Sequence, residues 1–595
     1  MASVIIGAVF PDTVHRYVPS MPVVPCDSVS KEHVNETFLL LLCGPEMFEN
    51  PRALRAVQAE GDKVRSRGVW DDESAEEPET VCRRAKAAGE RIHIAEAMTI
   101  AGVKNAEMEE DKHVYKGRVV YRGDATKDEQ GLPALFRELH SLPTNMQAIN
   151  LTLFLGLCSG FLVQAADACQ AFLQAPLRSP VSTYVVLPSE LWLPQWRGRF
   201  RRVAVKLKRA LYGHPEAPAE WQAYLENVLK TVLLAVAVEG FPSVFWLPTL
   251  CVLVTIYVDD ILAAGKAEGL KSFWSQLREH IDLDEVTSVE RFLGRYHLFS
   301  EDGTTVYMQM SAYAQQAIDL YLSLPGAGPL KSASTPYVAE GSLPLEDFEV
   351  RGALADSSAK ILMKLLWLSR LCRPDLAHVI SMLAVQSNTW SRNADKQVHR
   401  LLCYLQSTAD YSLRGIVRDP LHSCWIDLYC DADLGGCIHT SKSTSGLWLQ
   451  VSGPNGTQFP ITWASRRQGA VSRSTTEAEL VALADGLFTE ALPVQDLLSK
   501  VCGQTIPIRI REDNESAIKV LKAGYSVKLR GLVRTQRLSI ASISDHLKSH
   551  ADEISLEYTS TKDQLGDLFT KVLSRLPFEE LVAKLGLVRA PTPRS

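Results

Sequence analysis

No stretch of this 595-residue chain approaches the ~18 consecutive apolar residues that read as a membrane span. Its longest apolar runs are Phe38–Cys43, Val232–Val238 and Leu250–Val258. The opening residues Met1–Phe10 are apolar but carry no basic lead-in, which argues against a secretory signal. No membrane partner is expected, and the cytoplasm or nucleus follows as the compartment. The twelve cysteines include no C-x2-C pair and are scattered through apolar segments, so neither a disulfide scaffold nor a closed zinc site is expected. The densest group is His422, Cys424, Cys430, Cys437 and His439, and its spacing is wrong for structural zinc. No internal repeat of solenoid length occurs. Charge of one sign is missing too: the net charge is −6 and the pI is about 6.2, mildly against a purely electrostatic nucleic-acid binder. Residues 1–111 hold 12 basic and 20 acidic side chains, leaving 51 and 49 for the rest, so the acidity is confined to the N-terminal part.

What is present fits a folded chain of several domains, with 46% hydrophobic and 22% charged residues. The acidic stretch Asp71–Glu79 reads as a linker. Trp196–Arg209 gathers Arg197, Arg199, Arg201, Arg202, Lys206, Lys208 and Arg209 with no acid between them; it fits either a stripe for a nucleic-acid backbone or a solvated strand pair. Short apolar runs alternate with helical patterns from Tyr115 onward, a mixed α/β texture. Lys266–Ile281 places Leu270, Phe273, Trp274, Leu277 and Ile281 on one helix face. Residues 361–406 are helical by period, with a break at Arg373-Pro374-Asp375, and a second α/β unit begins near Cys424.

Two acid clusters stand out. Ile256–Leu262 places Asp259 and Asp260 inside an apolar, β-branched stretch, where ionised groups are costly unless paired or bound to a cation. The spacing predicts a hairpin with both acids at its tip, and Asp167, within Ala166–Leu173, supplies a third. Three carboxylates suit hard Mg2+, and a pair of such ions suits in-line displacement at phosphorus. The second cluster follows the strand pattern Ile426–Asp431.

On these residues the chain resembles the reverse transcriptase and RNase H region of copia-type retrotransposon Pol polyproteins. The blocks that carry the likeness are Lys116–Gly123, Asp167–Gln174, Leu207–Trp221 and Tyr257–Asp260, in the family's order. Downstream, Tyr429–Asp433, Ser441–Gly446, Ile461–Gln468, Ser474–Leu483, Asp513–Ile518 and Asp563–Lys571 continue it. The likeness covers about residues 112–590. It implies an α/β and α+β multidomain chain: an N-terminal extension (1–111), a right-hand polymerase of fingers, palm and thumb (112–345), a helical connection (346–420), an RNase H-like domain (421–575) and a tail (576–595).

By the same resemblance, Asp167, Asp259 and Asp260 are the metal-binding acids of the palm. Phe172 screens the sugar 2′ position, and Lys116, Arg118 and Arg122 contact triphosphate or template. Asp431, Glu479, Asp513 and Asp567 are the RNase H acids. The implied cofactor is Mg2+, with Mn2+ as the alternative. Implied partners are an RNA template, a DNA primer, the RNA/DNA hybrid, dNTPs and other products of the polyprotein, in a particle-associated cytoplasmic or nuclear setting.

Ser474-x-x-Glu477 and Thr476-x-x-Glu479 both fit a capping box, so Glu477 can cap the helix while Glu479 keeps the metal-facing role that the resemblance implies. Asp433 reads as an exposed acid beyond the strand and Asp563 as the cap of the final helix. The family pattern is broken at Glu216, where Gln is usual, and across Lys528–His546. No DTG or DSG triplet and no zinc head of an integrase is found, so the chain reads as the C-terminal polymerase portion of a longer polyprotein or a truncated copy. The competing reading is a non-catalytic, domesticated remnant that binds nucleic acid.

Overall fold

The computed structural model describes residues 40–42, 45–104, 113–137, 144–339, 341–437 and 440–589. Met1–Phe10, the ends of Phe38–Cys43, and His439 lie outside the described residues. The chain divides into two compact units. Of the described residues, the smaller holds 40–42, 45–63, 98–104, 113–120 and 189–191. In it, strand Leu40–Leu42 pairs with Ala101–Val103. The helix from Pro51 is capped by the Asn50 side chain, which accepts from the Arg52 and Ala53 N–H groups. Strand Val114–Tyr121 alternates, burying Gly117 and Val119 while Lys116 and Arg118 face outward. A Cβ on Gly117 would stand 2.4 Å from the Ala56 carbonyl oxygen, so only glycine lets the strand pass the helix.

The larger unit holds residues 64–97, 121–188 and 192–595. Its first sheet joins Ile92–Glu96 in parallel to Ser182–Leu187, then Val203–Leu207 and Trp70–Glu76 antiparallel. The acidic stretch is therefore not a linker. Trp70–Glu76 is a strand and Pro78 opens helix Pro78–Ala88. Counter-charge explains it: Lys208 meets Asp71 at 3.1 Å, and Arg202 meets Glu79 and Glu96 at 3.3 and 2.7 Å. The Glu77 carboxylate accepts the backbone N–H groups of Arg201 and Arg202. The basic stripe is thus the partner strand, with part of its charge neutralised by the acids beside it.

The second sheet is built around α1 (Met146–Leu157), β1 (Leu162–Asp167), α2 (Ala217–Thr231), β2 (Val252–Tyr257), β3 (Asp260–Gly265) and α3 (Ala267–Arg278). Strand order is Thr287–Ser288, β1, β3, β2, Val244–Leu247, Val236–Ala237. β2 and β3 are buried on both faces, which is why they read as continuous apolar runs rather than alternating ones. Val252, Val254 and Ile256 share a core with Trp221 and Leu225 of α2 and Phe273 and Leu277 of α3. Leu253 and Leu262 share another with Phe154 of α1.

A ten-stranded sheet takes strands from both sides of residues 345 and 420. Arg291–Phe292, Arg295–Phe299 and Thr305–Gln309 lead to Tyr411–Ile416. The sheet continues through β4 (Trp425–Ala432), β5 (Thr444–Ser452), β6 (Gln458–Arg467), β7 (Ile508–Glu512) and β8 (Ile554–Tyr558) in the order β6-β5-β4-β7-β8. The first three are antiparallel and the last two parallel to β4. Helix α4 (Thr475–Asp485) lies between β6 and β7 in the chain. The helical stretch expected after residue 346 is Ser358–Leu371, Ala377–Val385 and Arg392–Ser407, broken where Arg373 and Asp375 pair at 2.7 Å, both fully buried. Among the described residues no helix is long and apolar enough to cross a membrane.

Helix α1 joins the second and third sheets. Asn150 Nδ2 donates to the Ile461 carbonyl at 2.9 Å, and Phe154 meets Phe459 edge-on at 5.5 Å. Phe154 is fully buried. Phe154→Ala is expected to lower the unfolding free energy by about 3–5 kcal/mol, read from the urea midpoint; a loss under about 1 kcal/mol would show that α1 does not couple the two sheets.

Candidate active sites

The first site forms where three chain segments end. In the antiparallel pair β1–β3, Asp167 stands directly opposite Asp260, and like charges placed so repel. β2 and β3 are joined by the two-residue turn Val258-Asp259, with Tyr257 opposite Asp260. Asp167 and Asp259 are exposed and Asp260 is half-buried. Burial, then the hydrogen bond to the Asp167 carboxyl and the charges of Asp167 and Asp259, push Asp260 up to about 8. Val258 has φ 61°, a left-handed conformation that a β-branched residue resists. The turn holds because Trp221 Nε1 on α2 donates to the Val258 carbonyl at 2.6 Å, and the Ala168 N–H donates to the Asp259 carbonyl at 2.8 Å. Phe172 is half-buried on the short helix Ala171–Gln174, with its ring 5.6 Å from that of Tyr212.

The second site lies at the ends of β4 and β7. Asp431 is fully buried near the end of β4. Gly446 on β5 and Gly566 admit the 3-10 helix Leu565–Phe569: a Cβ on Gly566 would stand 2.9 Å from the Cβ of Asp431. Ser474 caps α4 by accepting the Glu477 N–H at 3.2 Å, and Glu477 Oε2 accepts the Arg473 N–H at 3.2 Å. Glu479, two residues on, faces the acids instead. Asp431, Glu479 and Asp513 each offer an oxygen within 4.8 Å of the others. Asp567 joins through Lys571, whose Nζ lies 3.0 Å from Asp431 and 2.6 Å from Asp567. Thr570 Oγ1 donates to the other oxygen of Asp431.

Burial first and neighbouring acids second push Glu479 up to about 10 and Asp567 up to about 7. Asp513 is raised for the same reasons, while the Lys571 ammonium is held above its usual value by Asp431 and Asp567 against the cost of burial. Carboxylate oxygens alone make a donor set for a hard divalent cation, and Glu479 Oε2 is buried with no hydrogen-bond partner among the described residues. The residues present fit Mg2+.

Two expectations at this site change. Asp563 does not cap the element that carries Asp567. Gln564 does so, accepting the Gly566 N–H at 3.0 Å, while Asp563 pairs with Lys584 at 2.7 Å. Asp433 is half-buried rather than exposed and accepts the Thr444 N–H. Sequence reasoning also missed Glu512. It is fully buried, Oε1 accepts the Asn514 N–H at 2.9 Å, and Oε2 has no partner among the described residues. Burial pushes it up to about 8. The signal was the strand period, because Ile508, Ile510 and Glu512 fall on one buried face. Of the cysteine and histidine group, Cys424 and Cys430 are separate core residues.

The basic candidates are exposed. In the smaller unit Lys116 faces solvent and Arg118 lies 3.6 Å from Glu60. In the larger unit Arg122 pairs with Asp124 at 3.3 Å. Glu216, the break in the family pattern, has an internal task. It is 1% exposed, and its carboxylate accepts Arg137 Nε and Nη2 at 3.0 and 2.9 Å and the Arg137 backbone N–H at 3.2 Å.

Residues 97–325 match a family model described as reverse transcriptase (RNA-dependent DNA polymerase). The chain is 25% identical over 487 residues to the retrovirus-related Pol polyproteins from transposons RE2 and RE1 of Arabidopsis thaliana, covering 80% of this chain and 31% of each of theirs. It is 24% identical over 476 residues to that from transposon TNT 1-94 of Nicotiana tabacum, covering 78% of this chain and 33% of that one. The chain thus spans about a third of the length of these relatives.

Arg137→Met removes the only charged partner that the Glu216 carboxylate has among the described residues. A stability loss of about 1–3 kcal/mol is expected from stranding a buried acceptor, measured by denaturant unfolding. A double variant with Glu216→Gln should recover part of that loss. No recovery would mean that Glu216 is not what Arg137 serves.

Proposed function

Since this chain belongs to the reverse-transcriptase family of copia-type retrotransposon Pol polyproteins, we propose that it is an RNA-directed DNA polymerase that also cleaves the RNA of the resulting hybrid. The observation that carries the polymerase reading is the placement of Asp167 opposite Asp260 beside the tip residue Asp259. The strand order β6-β5-β4-β7-β8, with acids at the ends of β4 and β7 and on α4, supports an RNase H-like domain with a separate hydrolytic site. Its substrates would be an RNA template, a DNA primer and dNTPs at the first site, and an RNA/DNA hybrid at the second.

Asp167, Asp259 and Asp260 would hold Mg2+ at the first site, and Asp431, Glu479, Asp513 and Asp567 at the second. Bound there, the ion supplies positive charge to the attacking and leaving oxygens of a phosphoryl transfer. The chain's own residues do the rest. The Trp221 hydrogen bond fixes the turn that presents Asp259 and Asp260. Asp260 must give up its proton to serve as a ligand. Phe172, on the short helix that follows β1, would be the residue that screens the sugar 2′ position. At the second site Ser474 and Glu477 fix the start of α4 and so the aim of Glu479. Glu216, held by Arg137, contributes no contact to nucleotide.

Separated losses test this. Asp259→Asn or Asp167→Asn should abolish Mg2+-dependent extension of a DNA primer on RNA while cleavage of a preformed hybrid continues. Glu479→Gln should lower hybrid cleavage by orders of magnitude and leave extension intact, whereas Glu477→Gln should cost about 1 kcal/mol of stability and spare both. Equal loss of both activities in any one folded variant would contradict two independent sites. A native chain that binds hybrid but neither extends nor cleaves would instead support the non-catalytic remnant.

A further inference from the structure

The acids of the second site divide into two sides that share Asp431. On one side, Asp431, Glu479 and Asp513 approach within 4.8 Å, and Glu479 Oε2, on a residue that is 5% exposed, is buried without a hydrogen-bond partner among the described residues. On the other, Asp431 and Asp567 are bridged by a cation that belongs to the chain. Lys571 Nζ lies 3.0 Å from Asp431 Oδ1 and 2.6 Å from Asp567 Oδ1. We propose that the Lys571 ammonium occupies one of the two cation positions of this cluster, so that the native chain takes a single divalent ion, on the Asp431–Glu479–Asp513 side.

The inference rests on the hydrolytic reading of the cluster and narrows its ion-holding set, assigning Asp567 to the Lys571 ammonium rather than to an ion. An ammonium is a compact positive charge with three donors, enough to hold two buried carboxylates that would otherwise repel. Its placement is built into the backbone. The Lys571 N–H donates to the Asp567 carbonyl at 3.0 Å, setting the side chain of Lys571 over that of Asp567. Thr570 Oγ1, one residue earlier, donates to Asp431 Oδ2, so both oxygens of Asp431 are engaged from this one segment. Swinging Lys571 out would leave Asp431 and Asp567, 0% and 4% exposed, with no positive charge between them. On the open side Thr561 Oγ1 donates to Asp513 at 2.9 Å, but among the described residues no cationic side chain pairs with Glu479 or Asp513, and Glu479 Oε2 has no hydrogen-bond partner.

The test counts ions on the full-length chain carrying Asp167→Asn, Asp259→Asn and Asp260→Asn, which removes the first site's carboxylates. Mn2+ is the probe, counted by its electron paramagnetic resonance signal and by calorimetry. The chain with native Lys571 is expected to bind one ion at this cluster, Lys571→Met two, and Lys571→Arg one, because the guanidinium keeps the charge. Without Mn2+, Lys571→Met should melt lower than its parent, and Mn2+ should raise its melting temperature by more than it raises the parent's, since an ion then does what the ammonium did. One ion on both parent and Lys571→Met, or two on both, overturns the inference. If neither binds an ion, the hydrolytic reading fails and this inference falls with it. If Glu479→Gln removes the parent's ion and hybrid cleavage while Lys571→Met still gains no second ion, the hydrolytic reading stands and this inference alone is wrong.

Discussion

Carboxyl groups in this chain are held closer together than ionised acids tolerate away from water, and much of the architecture around them serves to keep them there. On the second sheet, backbone register sets Asp167 against Asp260, and a strained turn adds Asp259. On the third, strand β4 brings Asp431, α4 brings Glu479, and the end of β7 brings Glu512 and Asp513. No acid there has a choice of position, because each sits on an element whose opposite face is locked into apolar packing. The raised proton affinities of Asp260, Glu479, Glu512 and Asp567 are the electrostatic cost of that arrangement.

The cost is borne by burial elsewhere. β2 and β3 are covered on both faces, so the hairpin that carries Asp259 and Asp260 cannot twist away to separate them. Helix α1, buried around almost its whole circumference, lies between that hairpin and β6 and joins the two acid-bearing sheets through one core. Small residues appear where the backbone must come close: Gly446 and Gly566 let the Asp567 segment lie against β4 and β5. Within that segment, Lys571 and Thr570 are the chain's own answer to the charge of Asp431.

Much of this was legible in the sequence for a physical reason: a pair of acids inside an apolar β-branched run has few places to go other than a hairpin tip. The helix at Ala267–Arg278, the break at Arg373–Asp375 and the division of labour between Glu477 and Glu479 follow from period and capping rules, which act over a few residues. What was misread depends on partners far along the chain. Asp71–Glu79 looks like a solvated linker until Lys208, Arg201 and Arg202 are seen beside it. Glu216 looks like a broken nucleotide contact until Arg137 closes on it. Glu512 is buried by elements distant in the chain, which its place next to Asp513 does not reveal, and Asp563 looks like a cap although Gln564, of a less common capping type, is the residue that caps.

The central claim is that the acid clusters are destabilising until a cation joins them, and the pH dependence of stability tests it directly. An acid whose affinity for protons is raised on folding binds more protons folded than unfolded, so stability falls as pH climbs from its ordinary value toward the raised one. For Glu512 that span runs from 4.5 to about 8, and for Glu479 from 4.5 to about 10. Buried His214 and His378, lowered by burial from 6.5 to about 4, give the opposite slope, but only below their ordinary value. Buried Cys158, Cys372 and Cys424, raised by burial from 9.0 to about 12, slope the same way as the acids but only as pH nears 9, so the clean window is about pH 7 to about 8. The measurement is the melting temperature of the full chain across that window, with and without Mg2+. The account requires a metal-free melting temperature that falls as pH rises and a Mg2+ stabilisation that grows over the same span. A flat metal-free curve, or a Mg2+ effect that does not change with pH, would contradict it.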